Sequence, residues 1–301
     1  MPSAVLIFNT SSGTYLHHGN ARDNVIACLE EGGVSVTPLE GSIGKQIAKS
    51  VETPSDMVVV AGGDGTIRST IAAHRGGGRP IGIIPGGTMN LLAHDYGIPI
   101  DPIEATKVIT GGHTREVDYA TIGDNVFLHA AFTGLPVRIG VHREHRRGRM
   151  RMLDRIWLGL HALATLPRDP NHVLTATTPD GETRTMTARS FAIVVGTLDP
   201  MLLPVPHRAS VTGGKLTVFA LHPESGVDFA RLLVRGAFGA LADDPHVEQL
   251  IVTSAEIRGP RRRLHAMLDG ERVLVPSPCP IEVHSGEVSV FAKPDVQEVH
   301  A

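Results

Sequence analysis

The stretch that decides the fold is residues 57–66, Met57-Val58-Val59-Val60-Ala61-Gly62-Gly63-Asp64-Gly65-Thr66. An unbroken apolar run of this length fits a strand buried on both faces, as in a parallel sheet. The glycines that follow end the strand and let the backbone approach another group closely. Residues 67–74 then read as a helix. Open α/β sheets bind ligands at the C-terminal ends of their strands. A glycine turn there presents backbone N–H groups and a positive helix end to a phosphate. Asp64, in the middle of the turn, would repel a triphosphate unless it holds Mg2+ or takes the proton of an attacking hydroxyl.

Working outward, the same grammar repeats. Upstream, residues 4–8 read as a buried strand running into Asn9-Thr10-Ser11-Ser12-Gly13. A helix with Val25, Ile26 and Leu29 on one face ends at Gly32-Gly33, residues 34–37 read as a strand, and residues 43–51 as a helix closed by Pro54. Downstream, residues 81–84 read as a strand broken by Pro85-Gly86-Gly87-Thr88, with helices expected over 90–96 and 103–110. Strand alternating with helix predicts a parallel sheet with covered faces.

After Val117 the texture changes. Gly123-Asp124-Asn125 and Pro179-Asp180-Gly181 sit between β-branched runs and read as hairpin turns. Strands are expected over 119–122, 126–131, 173–178, 183–195, 216–221, 251–257, 264–268, 273–275 and 288–291, and helices over 152–164 and 227–241. The fold class is therefore an α/β N-terminal nucleotide-binding domain, residues 1–117, followed by a mostly antiparallel, β-rich domain, residues 118–291.

Bulk composition narrows the function. The 301 residues are 42% hydrophobic and 20% charged, the balance of a folded globular chain. A net charge of −3 gives no global attraction to nucleic acid or membrane. Cys28 and Cys279 show no metal-ligand spacing and suit a reducing compartment. The first residues lack the basic start of a signal peptide, and no window is apolar enough to span a bilayer. A cytoplasmic protein is expected. Residues 142–155 are basic, with Arg143, Arg146, Arg147, Arg149, Arg151 and Arg155, and suit peripheral contact with an anionic inner membrane face. Arg261-Arg262-Arg263 is a shorter basic run that reads as a solvated face. Aromatics are 4% and none interleave with the basic run, which disfavours nucleic acid. Gly44-Lys45 looks briefly like a P-loop, but Leu39 stands where that motif needs glycine and Gln46 where it needs Ser or Thr.

Gly62-Gly63-Asp64-Gly65-Thr66, Pro85-Gly86-Gly87-Thr88-Met89-Asn90-Leu91-Leu92-Ala93 and the late Asp269-Gly270-Glu271 together resemble the signatures of the diacylglycerol kinase catalytic family. Asn9 to Gly13 resembles its N-terminal signature, with Thr10 in place of proline. That family includes bacterial lipid kinases and sphingosine kinases. The resemblance implies a fold related to NAD kinase and phosphofructokinase, a β-sandwich-like second domain, and a C-terminal tail, about 292–301, that returns to the first. It implies ATP and Mg2+ as cofactors, a lipid hydroxyl as acceptor, and room for a homodimer. It implies that Asn9, Ser12, Gly62, Gly63, Gly65, Thr66, Gly86, Gly87, Thr88 and Asn90 contact ATP. Asp64 and Glu271 would be catalytic, and Asp64, Asp269 and Glu271 would meet the metal. Base and metal ligand are not separated by sequence. The acceptor side departs from the family: Ser69, Pro136, the Thr197–Met201 stretch and Thr212-Gly213-Gly214 stand where it has Glu, Asp, a glycine-rich segment and Asp-Asp-Gly. A kinase for a soluble acceptor such as NAD, or a catalytically silent nucleotide- or lipid-binding protein, are the competing readings.

Overall fold

The computed structural model describes residues 1–13, 20–134, 137, 171–198, 208–210, 213–223, 225, 227–228, 231–232, 235 and 244–294. The expected helix over 152–164, the basic stretch 142–155, Pro136 and most of 227–241 lie outside those residues. The chain divides into two compact units. Among the described residues the first takes Met1–Asp118 and 284–294, and the second takes Tyr119–Val283.

In the first unit β1 (Ser3–Phe8), α1 (Ala21–Glu31), β2 (Ser35–Pro38), α2 (Ile43–Glu52), β3 (Met57–Gly62), α3 (Asp64–His74), β4 (Ile81–Pro85), α4 (Leu91–Asp95), α5 (Pro102–Thr110) and β5 (Thr114–Glu116) follow in order. The sheet order is β2-β1-β3-β4-β20-β5, where β20 (Ser289–Phe291) is the last strand among the described residues. β20 lies parallel to β4 and antiparallel to β5. β2, β1, β3 and β4 run parallel. Every residue of β3 and β4 is buried, which is why their sequences are continuous apolar runs rather than alternating ones. Parallel pairing brings the C-terminal ends of β1, β3 and β4 to one edge, so the turns after Phe8, Gly62 and Pro85 gather there.

The second unit holds β6 (Tyr119–Ile122), β7 (Asn125–Phe127), β8 (Ala130–Thr133), β9 (His172–Thr177), β10 (Thr183–Ala188), β11 (Ser190–Val195), β12 (Thr197–Leu198), β13 (Arg208–Ser210), β14 (Leu216–Leu221), β15 (Val247–Val252), β16 (Ser254–Arg258), β17 (Arg263–Leu268), β18 (Glu271–Pro276) and β19 (Cys279–His284). Two six-stranded sheets, β10-β9-β16-β19-β6-β7 and β15-β14-β11-β8-β17-β18, share one core of inward side chains that includes Phe127, Leu174, Phe191, Val218, Ile257 and Ile281. A smaller cluster of Ala192, Phe219, Leu221 and Leu232 lies apart from that core.

Three expected strands are divided. The run 183–195 breaks at Arg189, so that β10 joins one sheet and β11 the other. The run 251–257 breaks at Thr253, whose N–H donates to Thr177 O, and again the halves join different sheets. Both inner faces of a sandwich are apolar, so the sequence pattern continues across such a crossing. The run 126–131 breaks at Leu128-His129, whose amides turn to a side chain instead of a neighbouring strand.

Candidate active site

The turns after β1, β3 and β4 are joined by side chains. Asn9 Nδ2 donates to Thr66 Oγ1 at 2.8 Å. Gly63 N donates to Ser12 Oγ at 3.1 Å. Gly86 N donates to Gly62 O at 2.8 Å. Gly87 N donates to Asn90 Oδ1 at 2.8 Å, and Asn90 Nδ2 returns a bond to Gly87 O at 3.0 Å. The two glycine turns touch through bare backbone. A Cβ on Gly87 would lie 2.9 Å from Gly63 Cα, and one on Gly63 would lie 3.2 Å from Gly87 Cα. This contact explains why glycine stands at both positions.

Asp64 closes the arrangement. Its Oδ2 accepts the Asn90 amide and its Oδ1 the Leu91 amide, each at 2.9 Å. α3 starts at Asp64, three residues earlier than the sequence suggests, because Gly63 O already accepts the amides of Thr66 and Ile67. Asp64 thus occupies the first position of one helix and caps the start of another. Asn90 adopts φ 48°, the left-handed region that asparagine tolerates better than most residues. That conformation lets two successive amides, Asn90 and Leu91, point at one carboxylate.

The glycine amides of the two turns do not all stand open. Those of Gly63, Gly86 and Gly87 are spent inside the protein. Among the described residues the amides of Asp64, Gly65, Thr88 and Met89 donate to nothing. The first two sit at the N-terminus of α3, where partial positive charge is greatest. Ser12 and Thr66 each accept a bond through the hydroxyl oxygen, which leaves the hydroxyl proton to give. These donors, with a carboxylate beside them, fit a polyphosphate carrying a divalent cation.

In the second unit Asp269 takes φ 47° in the tight turn between β17 and β18. Its Oδ2 accepts Leu128 N at 2.8 Å, and its Oδ1 accepts His129 N at 2.9 Å and Ala130 N at 3.0 Å. Its own amide bonds to Ala130 O at 3.0 Å. A carboxylate offers about four lone-pair directions. Three of Asp269's are filled, against two of Asp64's. Asp269, expected among the metal ligands, is therefore occupied in holding the segment between β7 and β8. Glu271, at the head of β18, is exposed. Among the described residues no three His, Cys, Asp or Glu side chains form a metal-holding group.

Gln46 is a structural residue that the motif reading met only as a P-loop mismatch. Its Oε1 accepts Phe8 N at 2.8 Å, and its Nε2 donates to Gly41 O at 2.9 Å and more weakly to Phe8 O. It fixes the end of β1, from which Asn9 reaches Thr66. An amide at a buried position of an otherwise amphipathic helix was the available signal.

A parallel sheet with glycine turns gathered at one edge, followed by a β-sandwich, defines a class of two-unit proteins, and comparison with known proteins narrows it. Residues 3–122 match the family model of the diacylglycerol kinase catalytic domain. The likeness implied by the motifs is shown over that stretch. The chain is similar to a diacylglycerol kinase of Staphylococcus saprophyticus, 32% identical over 137 residues, covering 44% of this chain and 45% of that one. A diacylglycerol kinase of Mycobacterium tuberculosis is 31% identical over 160 residues, 49% of this chain and 52% of the other. A YegS-like lipid kinase of Klebsiella pneumoniae is 32% identical over 144 residues, 46% of this chain and 48% of the other. The chain thus spans about half the length of the curated relatives it matches. A crystal structure of a Bacillus anthracis diacylglycerol kinase superposes with a TM-score of 0.68 over 98% of each chain at 19% identity, which shows a shared fold.

Proposed function

We propose that this protein is an ATP-dependent lipid kinase that transfers the γ-phosphoryl group to a hydroxyl of diacylglycerol or a related lipid. The observation that carries the reading is the Asp64 carboxylate bonded across the two glycine turns, to the amides of Asn90 and Leu91. That linkage holds open amides, hydroxyl donors and a half-used carboxylate at one sheet edge. Electrostatic positioning of this kind supplies most of the catalysis in phosphoryl transfer.

In this reading the amides of Asp64 and Gly65 and the hydroxyls of Ser12 and Thr66 receive phosphate oxygens. Mg2+, when bound, would offset charge on the transferring group, and in the first unit Asp64 is the residue that would hold it. The acceptor oxygen bonds to the γ-phosphorus as the bond to the β-bridging oxygen breaks. ADP leaves, and the acceptor proton passes to a carboxylate, for which Asp64 is the candidate. Asp269 positions the segment 128–130 rather than reacting. No helix among the described residues is long and apolar enough to cross a membrane. A cytoplasmic enzyme that meets lipid at the inner membrane face is the corresponding localisation, and a homodimer is compatible with it.

One observation favours a second reading. The family model stops at residue 122 and covers the nucleotide half alone, so a soluble acceptor fits the same first unit. Incubation with γ-labelled ATP and either a bacterial lipid extract or a panel of soluble acceptors including NAD separates the two. Label in the lipid phase supports the proposal. Label confined to a soluble acceptor contradicts it, and ATP binding without any transfer marks a silent nucleotide-binding protein.

A further inference from the structure

β17 and β18 form a hairpin at one edge of the second unit's sheet, and among the described residues β18 pairs with no further strand. The register sets Arg263 opposite Pro276, His265 opposite Leu274, and Met267 opposite Arg272. Leu264, Ala266, Leu268 and Val275 belong to the sandwich core. Alternation therefore turns Arg263, His265, Met267, Arg272 and Leu274 to the opposite face. Arg261 and Arg262 are exposed in the approach to β17. No carboxylate stands among the outward residues of the two strands. Arg272 Nη2 lies 3.0 Å from His265 Nδ1 and 2.9 Å from Nε2. Partial burial, with the Arg272 and Arg261 guanidiniums beside it, holds His265 below its usual pKa, which fits a positive local field.

In the middle of these cations Leu274 is 46% exposed. Charge alone would have a simple purpose on an edge strand, since it discourages pairing with another chain. An exposed leucine in its centre works against that purpose. Cations around an apolar residue match the interface of a bilayer, with phosphate headgroups outside and acyl chains within. Nucleic acid fits less well, because the outward residues of β17 and β18 include no aromatic ring to give a base a stacking surface, and Phe132 beside Met267 on β8 packs against a separate apolar cluster.

We infer that the outward face of the β17–β18 hairpin docks on an anionic lipid bilayer, with Arg263 and Arg272 at the headgroups and Leu274 in the interface. The inference does not rest on the kinase reading, because docking needs no nucleotide. The test is co-sedimentation of the full chain with phosphatidylcholine vesicles, with and without phosphatidylglycerol. Binding is expected with the anionic vesicles only, and it should weaken as salt rises. Each arginine removed should weaken partition about fivefold, so the pair Arg263→Ser with Arg272→Ser should lose about 25-fold. The pair Arg263→Lys with Arg272→Lys should keep most of the binding, which controls for folding. Leu274→Ser should weaken it several-fold. Equal binding of wild type and the serine pair would overturn the inference, as would failure of wild type to bind anionic vesicles. RNA binding that the serine pair abolishes, with no vesicle binding, would overturn it in favour of nucleic acid.

Discussion

Asp64 and Leu91 belong to the first turns of two different helices, and a 2.9 Å hydrogen bond from the Leu91 amide to Asp64 Oδ1 ties those helices together. With the matching bond from Asn90, one carboxylate serves two turns that are far apart in sequence. Removing it affects both the chemistry and the architecture. Asp64→Ala should lower phosphoryl transfer by at least about 100-fold. It should also cost about 1–3 kcal/mol of stability, because two amides lose a charged acceptor. Asp64→Asn restores one acceptor atom but sets an NH2 against an N–H, so it should recover little of either. Denaturant midpoints beside turnover numbers check this, and full activity in either variant would remove Asp64 from the site.

The two acids of the Asp269-Gly270-Glu271 turn should separate cleanly. Asp269→Ala strands three amides, at Leu128, His129 and Ala130. It should cost about 3 kcal/mol or more and lower the thermal midpoint sharply. Glu271→Gln should leave the midpoint nearly unchanged while transfer falls. A variant pair behaving the other way round would assign the role in transfer to Asp269 and the structural one to Glu271.

Glycine substitutions distinguish backbone contact from simple turn formation. Gly87→Ala places a methyl 2.9 Å from Gly63 Cα, and backbone there has little room to yield. ATP affinity should fall by about tenfold, with about 1–3 kcal/mol of destabilisation from overpacking. Gly44→Ala is the control. It lies inside α2 with nothing within 4 Å of an added Cβ, so it should stabilise by about 0.5–1 kcal/mol. Calorimetric titration with ATP and urea melts of both variants provide the comparison.

Acid should weaken the first unit through His74. This ring is buried at the end of α3, 2.8 Å from Ser50 Oγ, and burial together with the Arg79 guanidinium pushes its pKa down to about 4. Below the ordinary value of about 6.5 the unfolded chain takes up a proton that the folded chain refuses. Stability therefore falls as pH drops from about 6.5 to 4, by up to about 3 kcal/mol. Urea midpoints measured across that window should show the slope in wild type and a flatter one in His74→Gln. Equal slopes would place the acid sensitivity elsewhere.

The α/β unit was legible because its central strands are buried on both faces and so carry unbroken apolar runs, and because glycine turns mark their ends. The start of α3 was not, since Gly63-Asp64-Gly65 reads as a turn until the acceptor role of Gly63 O is seen. The apolar pattern shows the sandwich only as hairpins, because the crossings at Arg189 and Thr253 leave it uninterrupted, and the two-sheet arrangement came from the family resemblance. β19 was missed altogether. Pro278 and Pro280 disguise it, although Pro280 pairs with Glu256 within the ladder. In the candidate site the residue types were readable from motifs, but the partition of labour was not. Asp64 and Asp269 occupy similar Asp-Gly contexts, and the number of amides each one accepts is what separates a carboxylate with lone pairs to spare from one nearly filled.

The most direct test of the central claim is transfer of labelled phosphate from γ-labelled ATP to diacylglycerol in mixed micelles, wild type beside Asp64→Ala, with ATP binding measured on both. The account predicts labelled phosphatidic acid with wild type and none above background with the variant. Wild type that binds ATP yet labels neither diacylglycerol nor any component of a lipid extract would contradict it.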